Sequence, residues 1–232
     1  MASFVIPTPP VVSLPIMETN SLFPVRRVYC IGRNYGAHAI EMGHNPTKEP
    51  PFFFQKNPNN LNCSGIFIYP PNSNEVHYEA ELAIMLKSGG TNISVDHALD
   101  NIYGYAPSLD MTRRDLQSAQ KKLGRPWEIG KAFEHSAPVG LIHPVEKVGH
   151  PTTGELSMKV NGAEVQKGNL SQMIWKVPEI ISYLSIYFEL AAGDVILSGT
   201  PAGVGPITIG DLMEVKIGNL KSLTVKVITE ET

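Results

Sequence analysis

Cysteine is scarce: Cys30 and Cys63 are the only two in 232 residues, so no disulfide framework can hold the fold. Cys30 sits in the apolar run Val28-Tyr29-Cys30-Ile31, which reads as a buried strand, and the expected compartment is reducing. Positive charge is absent from the first 24 residues, and Pro7, Pro9, Pro10 and Pro15 interrupt them, so the basic start and unbroken apolar core of an export signal are missing. Long hydrophobic runs are lacking too. The most apolar stretch, Ile180 to Ile196, is broken by Ser182, Ser185, Glu189, Gly193 and Asp194 and falls short of the ~18 apolar residues of a membrane span. A cytoplasmic protein that engages no membrane is expected. Excess charge is also lacking: 19 Lys and Arg against 22 Asp and Glu give a net charge of -3, which draws the chain to no nucleic acid. Small-molecule chemistry is the class left standing.

What is present suits a folded chain, with 42% hydrophobic and 18% charged residues. The proline-rich opening suits an extended arm. A strand at Val28 to Ile31 leads through Gly32 into a short helix from Asn34 to Met42. Gly43 to Ser64, with its prolines, asparagines and Phe52-Phe53-Phe54, reads as a long connection and candidate lid. Val76 to Leu86 forms a strand that sets His77, Glu79, Glu81 and Ala83 on one face and Val76, Tyr78, Ala80 and Leu82 on the other. A second strand, Ile102 to Leu109, ends at Asp110, and a helix follows from Thr112 to Leu123. Asn161-Gly162 predicts a tight hairpin between Leu156 to Val160 and Ala163 to Gln166. Pro178 opens a helix reaching about Glu189, and short strands fill the last third. The fold class is α+β, mainly β.

Several residues could carry chemistry. Glu79 and Glu81 leave one face of a strand with Cα atoms about 6.5–7 Å apart, close enough to converge on one cation. Asp110 is the natural third ligand, and an all-oxygen set favours Mg²⁺ or Mn²⁺ over Zn²⁺. Taken alone, the Glu-x-Glu spacing reads more simply as the solvated face of an edge strand. His38 and Glu41, three apart on the expected helix, could form an oriented general base, though a surface His beside a surface Glu is the commoner arrangement. Lys131 lies among apolar neighbours and could stabilise an oxyanion or sit at the surface. Ser198-Gly199-Thr200-Pro201-Ala202-Gly203-Val204-Gly205 resembles an anion cradle; it fits neither a dinucleotide fingerprint nor a P-loop, and Ser198 lacks a nucleophile elbow.

In order along the chain, Gly32-Arg33-Asn34-Tyr35 with His38 and Glu41, His77-Tyr78-Glu79-Ala80-Glu81-Leu82, Leu109-Asp110-Met111-Thr112-Arg113-Arg114-Asp115-Leu116-Gln117, Gly130-Lys131-Ala132-Phe133 and Ser198-Gly199-Thr200-Pro201 resemble the fumarylacetoacetate hydrolase family. Gly124-Arg125-Pro126-Trp127-Glu128, Met173-Ile174-Trp175 and Pro51-Phe52-Phe53-Phe54 look most like its bacterial fumarylpyruvate hydrolase branch. The resemblance implies a mixed β-sandwich roll and a homodimer. With no composition break sharp enough for a domain boundary, the chain itself reads as one α+β domain with a smaller N-terminal segment, an arm, strand and lid segment over 1–64 ahead of a metal-binding catalytic β-roll over 65–232. The resemblance further implies a divalent metal on Glu79, Glu81 and Asp110, with Mg²⁺ or Mn²⁺ as cofactor.

The implied reaction is hydrolysis of a carbon–carbon bond in a 2,4-dioxo acid, fumarylpyruvate giving fumarate and pyruvate. His38 and Glu41 would activate water, Lys131 and Gln117 would face developing negative oxygens, and Arg33 and Thr200 would contact substrate. The alternatives are a β-keto-acid (oxaloacetate) decarboxylase or dienedioate isomerase of the same family, and a non-catalytic 2-oxo-acid binder. Two departures stand out: Tyr78 replaces a second His, and Asn57 separates Lys56 from Pro58 where Lys-Pro is usual.

Overall fold

The computed structural model describes residues 4–36 and 50–229. Two sheets dominate and form an α+β, mainly β, sandwich roll. The first has six strands in the order His143–Pro144, Ile102–Leu109, Ala80–Leu86, Asp194–Leu197, Arg27–Gly32, Phe52–Lys56. The second has five, in the order Ala163–Asn169, Glu155–Val160, Leu212–Ile217, Leu223–Ile228, Ile66–Ile68.

The burial patterns follow from this layering. Leu212–Ile217 and Leu223–Ile228 alternate buried and exposed residues because only one face of their sheet is covered. Every residue of Ala80–Leu86 is buried, because the six-stranded sheet is covered on both faces. Leu82, Ile84 and Leu86 pack with Met158, Met213, Val215 and Val225 between the sheets. Ala83 and Met85 turn the other way, toward Cys30, Val195, Leu197 and the N-terminal arm residues Leu14, Ile16 and Phe23. Helix Val177–Tyr187 closes the first core with Val177, Ile180, Ile181 and Leu184, one stripe at helical spacing. The hairpin Glu155–Val160 to Ala163–Asn169 turns at Asn161-Gly162, both at positive φ. Among the described residues no helix is long and apolar enough to cross a membrane.

Three expectations change. The strand expected over Val76 to Leu86 breaks at Glu79: Ala80–Leu86 belongs to the six-stranded sheet, whereas Val76–Tyr78 pairs with Thr112–Arg113 and Gly205–Pro206. The same pairing takes Thr112 and Arg113, so the helix expected from Thr112 starts later, as Arg114–Lys122. The third change concerns the expected lid, whose first part, up to residue 49, lies outside the described residues. From Phe52 onward it is a sheet edge. Phe52–Lys56 zips antiparallel along Arg27–Gly32, and Leu61–Asn62 pairs with Ala137–Pro138, which fixes this backbone in ladders rather than leaving it free to move. The boundary drawn at residue 64 thus runs through a sheet whose strands come from both sides of it.

Ile84 is fully buried between Tyr105 and Ile196 in the register of the central strands. Ile84→Ala is expected to lower stability by roughly 2–5 kcal/mol, read as a lower urea midpoint at an unchanged slope.

Candidate metal centre

The centre forms where two neighbouring strands leave the six-stranded sheet together. Ala80 lies opposite Leu109 and His77 opposite Thr112, so one antiparallel register continues across the break and sets Glu79 opposite Asp110. The Asp110 N–H donates to the Glu79 carbonyl at 2.8 Å, holding the two arms together at that point. Directly opposed residues share a face, as do residues two apart on one strand, so Glu79, Glu81 and Asp110 converge. One carboxylate oxygen from each lies within 4.8 Å of the others, and all three residues are buried.

Three cations from separate parts of the chain answer this charge. Lys131 Nζ reaches Glu79 Oε2 at 2.8 Å, Asp110 Oδ2 at 2.7 Å and Thr112 Oγ1 at 2.6 Å. Arg114 donates from Nη2 to Glu79 Oε1 at 2.5 Å and from Nη1 to Gln117 Oε1 at 2.6 Å. Lys56 Nζ pairs with Asp110 Oδ1 at 2.9 Å and donates to Ser136 Oγ at 3.0 Å and to the Lys131 carbonyl. Burial alone would discharge Lys131, but Asp110 and Glu79 outweigh it and raise its pKa. Among the described residues Glu81 has no such ammonium partner. Its Oε2 accepts the Gly199 N–H at 2.7 Å, while burial, then Asp110 and Glu79, push its carboxyl well above its ordinary pKa. A hard-oxygen trio holding one carboxylate whose ionised form is this disfavoured fits Mg²⁺ or Mn²⁺.

The glycine-rich loop therefore cradles a carboxyl group, and it is the protein's own Glu81. Gly199 has φ +93°, and a Cβ there would lie 2.7 Å from Asn34 Cβ, so the loop admits no larger residue without shifting. Asn34 fixes the loop from behind, donating from Nδ2 to the Ser198 carbonyl at 2.8 Å. The Thr200 hydroxyl donates to the Ala80 carbonyl at 2.9 Å and accepts from Gln166 Nε2 at 2.9 Å, tying the loop to the strand that bears Glu81.

The trio floors a cleft whose walls include Arg33, Phe52, Phe54, Gln117, Lys121, Trp127, Lys131 and Thr200. The structure thus gathers seven of the candidate residues: Glu79, Glu81, Asp110, Lys131, Gln117, Arg33 and Thr200. His38 and Glu41 lie outside the described residues. The donors of Lys131 are engaged by Glu79, Asp110 and Thr112, so it acts on the floor itself. Sequence reasoning gave no role to Arg114 or Lys56. The available signal was a lysine closing an apolar strand and an arginine one turn of chain past Asp110.

A family model described as the fumarylacetoacetate (FAA) hydrolase C-terminal matches residues 27–228. A crystal structure of fumarylpyruvate hydrolase from Pseudomonas aeruginosa, in complex with Mn²⁺ and pyruvate, is similar at 45% identity and a TM-score of 0.96, covering 98% of this chain and all of that one. An oxaloacetate tautomerase of Escherichia coli is 39% identical over 207 residues, 89% of this chain and 94% of the relative. A mitochondrial oxaloacetate decarboxylase of Dictyostelium discoideum is 39% identical over 197 residues, 84% of this chain and 90% of the relative. The matched span takes in both arms of the broken ladder, all three cations and the Gly199 loop, and the chain belongs to the fumarylacetoacetate hydrolase family.

Proposed function

We propose that this chain is a divalent-metal-dependent hydrolase that cleaves the carbon–carbon bond of an acylpyruvate, with fumarylpyruvate giving fumarate and pyruvate. The observation that carries this reading is the buried trio of Glu79, Glu81 and Asp110, joined to the likeness to a fumarylpyruvate hydrolase that binds Mn²⁺ and pyruvate.

Charge supports it. With Glu79, Glu81 and Asp110 ionised and Lys56, Lys131 and Arg114 protonated, the floor is neutral, so a divalent cation leaves it doubly positive. That matches a 2-oxo acid, which brings one carboxylate and develops a second negative charge as the bond breaks. Mg²⁺ or Mn²⁺ in the trio would supply Lewis-acid stabilisation of that charge. The chain's own groups do the rest. Arg114 and Lys131 hold both oxygens of Glu79, Lys131 and Lys56 hold those of Asp110, and the Gly199 N–H aims Glu81. Gln117, oriented by Arg114, stands in the cleft wall with its amide N–H₂ available to a substrate oxygen.

His38, oriented by Glu41, takes a proton from water. The hydroxide adds to the distal carbonyl carbon, the bond between that carbon and the pyruvate methylene breaks, and its electron pair passes to the pyruvate fragment, which takes up a proton. Fumarate and pyruvate leave in equal amounts. A second reading follows from the relatives that are an oxaloacetate tautomerase and an oxaloacetate decarboxylase. The same floor would then stabilise an oxaloacetate enolate with no water addition.

Metal-stripped protein given fumarylpyruvate is expected to be inactive, and Mn²⁺ or Mg²⁺ to restore equimolar fumarate and pyruvate in a coupled spectrophotometric assay. Turnover of oxaloacetate without cleavage of fumarylpyruvate would transfer the assignment to the second reading. Gly199→Ala moves the N–H that aims Glu81, and Mn²⁺ affinity by electron paramagnetic resonance titration is expected to fall about 10–100-fold. Unchanged affinity would show that the loop does not position Glu81.

A further inference from the structure

Above its floor the cleft is sided, and the sides differ in chemistry. Arg114, Gln117 and Lys121 all line it from helix Arg114–Lys122. Their spacing of three and then four residues puts them on one face, stacked over about 10 Å of helix axis. Arg114 stands at the floor against Glu79. Lys121, two turns on, stands at the exposed rim. Phe52, Phe54 and Trp127 give the cleft an aromatic wall as well. Phe52 and Phe54 alternate to the cleft side of their strand, and the Trp127 ring meets Phe52 edge-on with centroids 5.4 Å apart and Phe54 at 6.0 Å. The Arg33 guanidinium carbon sits 4.9 Å from the centre of the Phe52 ring, which sets a second cation against that wall.

A polar floor, an aromatic flank and a cationic rim describe a ligand with an anionic head, a flat carbon chain and an anionic end. The rim stands about two helix turns above the floor. An extended seven-carbon dioate, the length of fumarylpyruvate, separates its carboxyl carbons by roughly 7.5 Å, with bonds of about 1.5 Å, and the lysine side chain spans the rest. We infer that Lys121, with Arg33, reads the distal carboxylate of a seven-carbon 2-oxo dioate whose tail lies along Phe52, Phe54 and Trp127. This rests on the reading that the floor takes the 2-oxo-acid end.

Binding separates the subsite from the reaction. Isothermal titration of the Mn²⁺-loaded protein with 2-oxoheptanedioate and with 2-oxoheptanoate compares two chains of equal length that differ only in a terminal carboxylate. The wild type is expected to prefer 2-oxoheptanedioate. Lys121→Met should cut the ratio of the two affinities about fivefold, the scale of an exposed charge pair, and Lys121→Arg should keep most of it. Salt at about 0.5 M should erode the preference in the wild type more than in Lys121→Met. Trp127→Ala should weaken both ligands together. Equal affinity for the two ligands, or a preference that Lys121→Met leaves intact, would overturn the inference. Cleavage of fumarylpyruvate without a dioate preference removes the subsite and keeps the hydrolase. A dioate preference without cleavage keeps the subsite and removes the hydrolase.

Discussion

Like charges crowded out of water govern this structure. Carboxylate oxygens within 4.8 Å of one another repel by roughly 3–4 kcal/mol per pair at an effective dielectric of about 20. The fold holds them there by bringing Lys56, Lys131 and Arg114 to the same place from an edge strand, a short helix and a longer one. The convergence also explains why so many backbone features lie nearby. The sheet break at Glu79, the start of helix Arg114–Lys122 and the left-handed turn at Gly199 each point one charged or polar group at the same spot. Glu81, which among the described residues meets a backbone N–H and no ammonium, is where the compensation stops and where a cation has most to offer.

Much of this was legible because it is local. Alternation along a strand placed Glu79 and Glu81 on one face, and the structure keeps Ala80 and Leu82 in the opposite core. Asn161-Gly162 announced its hairpin through the positive φ that the turn requires, and Pro178 announced its helix. The break at Glu79 was not legible, because nothing in the composition of Val76 to Leu86 distinguishes one continuous strand from two that belong to different sheets. The break is set by partners far away in sequence. Both Thr112–Arg113 and Gly205–Pro206 bind Val76–Tyr78 and pull it out of the larger sheet.

Non-locality also hid the cations. Lys56 follows a run of phenylalanines and reads like the charged end of an edge strand, yet its ammonium is buried against Asp110 and Ser136. The expected lid failed for a related reason: prolines and asparagines on either side of Phe52–Lys56 look like a connection until Arg27–Gly32 supplies a ladder for the phenylalanines. The glycine-rich loop was legible as an anion cradle, but the carboxyl group it holds was not, since Glu81 lies 118 residues before Gly199.

The relatives show why the floor alone does not fix the reaction. Hydrolysis of an acylpyruvate, decarboxylation of oxaloacetate and its tautomerisation all pass negative charge onto a carbon next to a 2-oxo acid, and a divalent cation held by the trio would stabilise that charge in each. The reactions part at the next carbon. A hydrolase must deliver hydroxide to a second carbonyl farther from the floor, so it needs a base placed over the cleft and room for an acyl group beyond the bond being cut. A four-carbon keto acid needs neither, since its departing or shifting group lies against the floor. Selection among these reactions therefore falls to residues beyond the trio, and among the described residues those lining the cleft are Gln117 and Lys121, the phenylalanine and tryptophan flank, and Arg33.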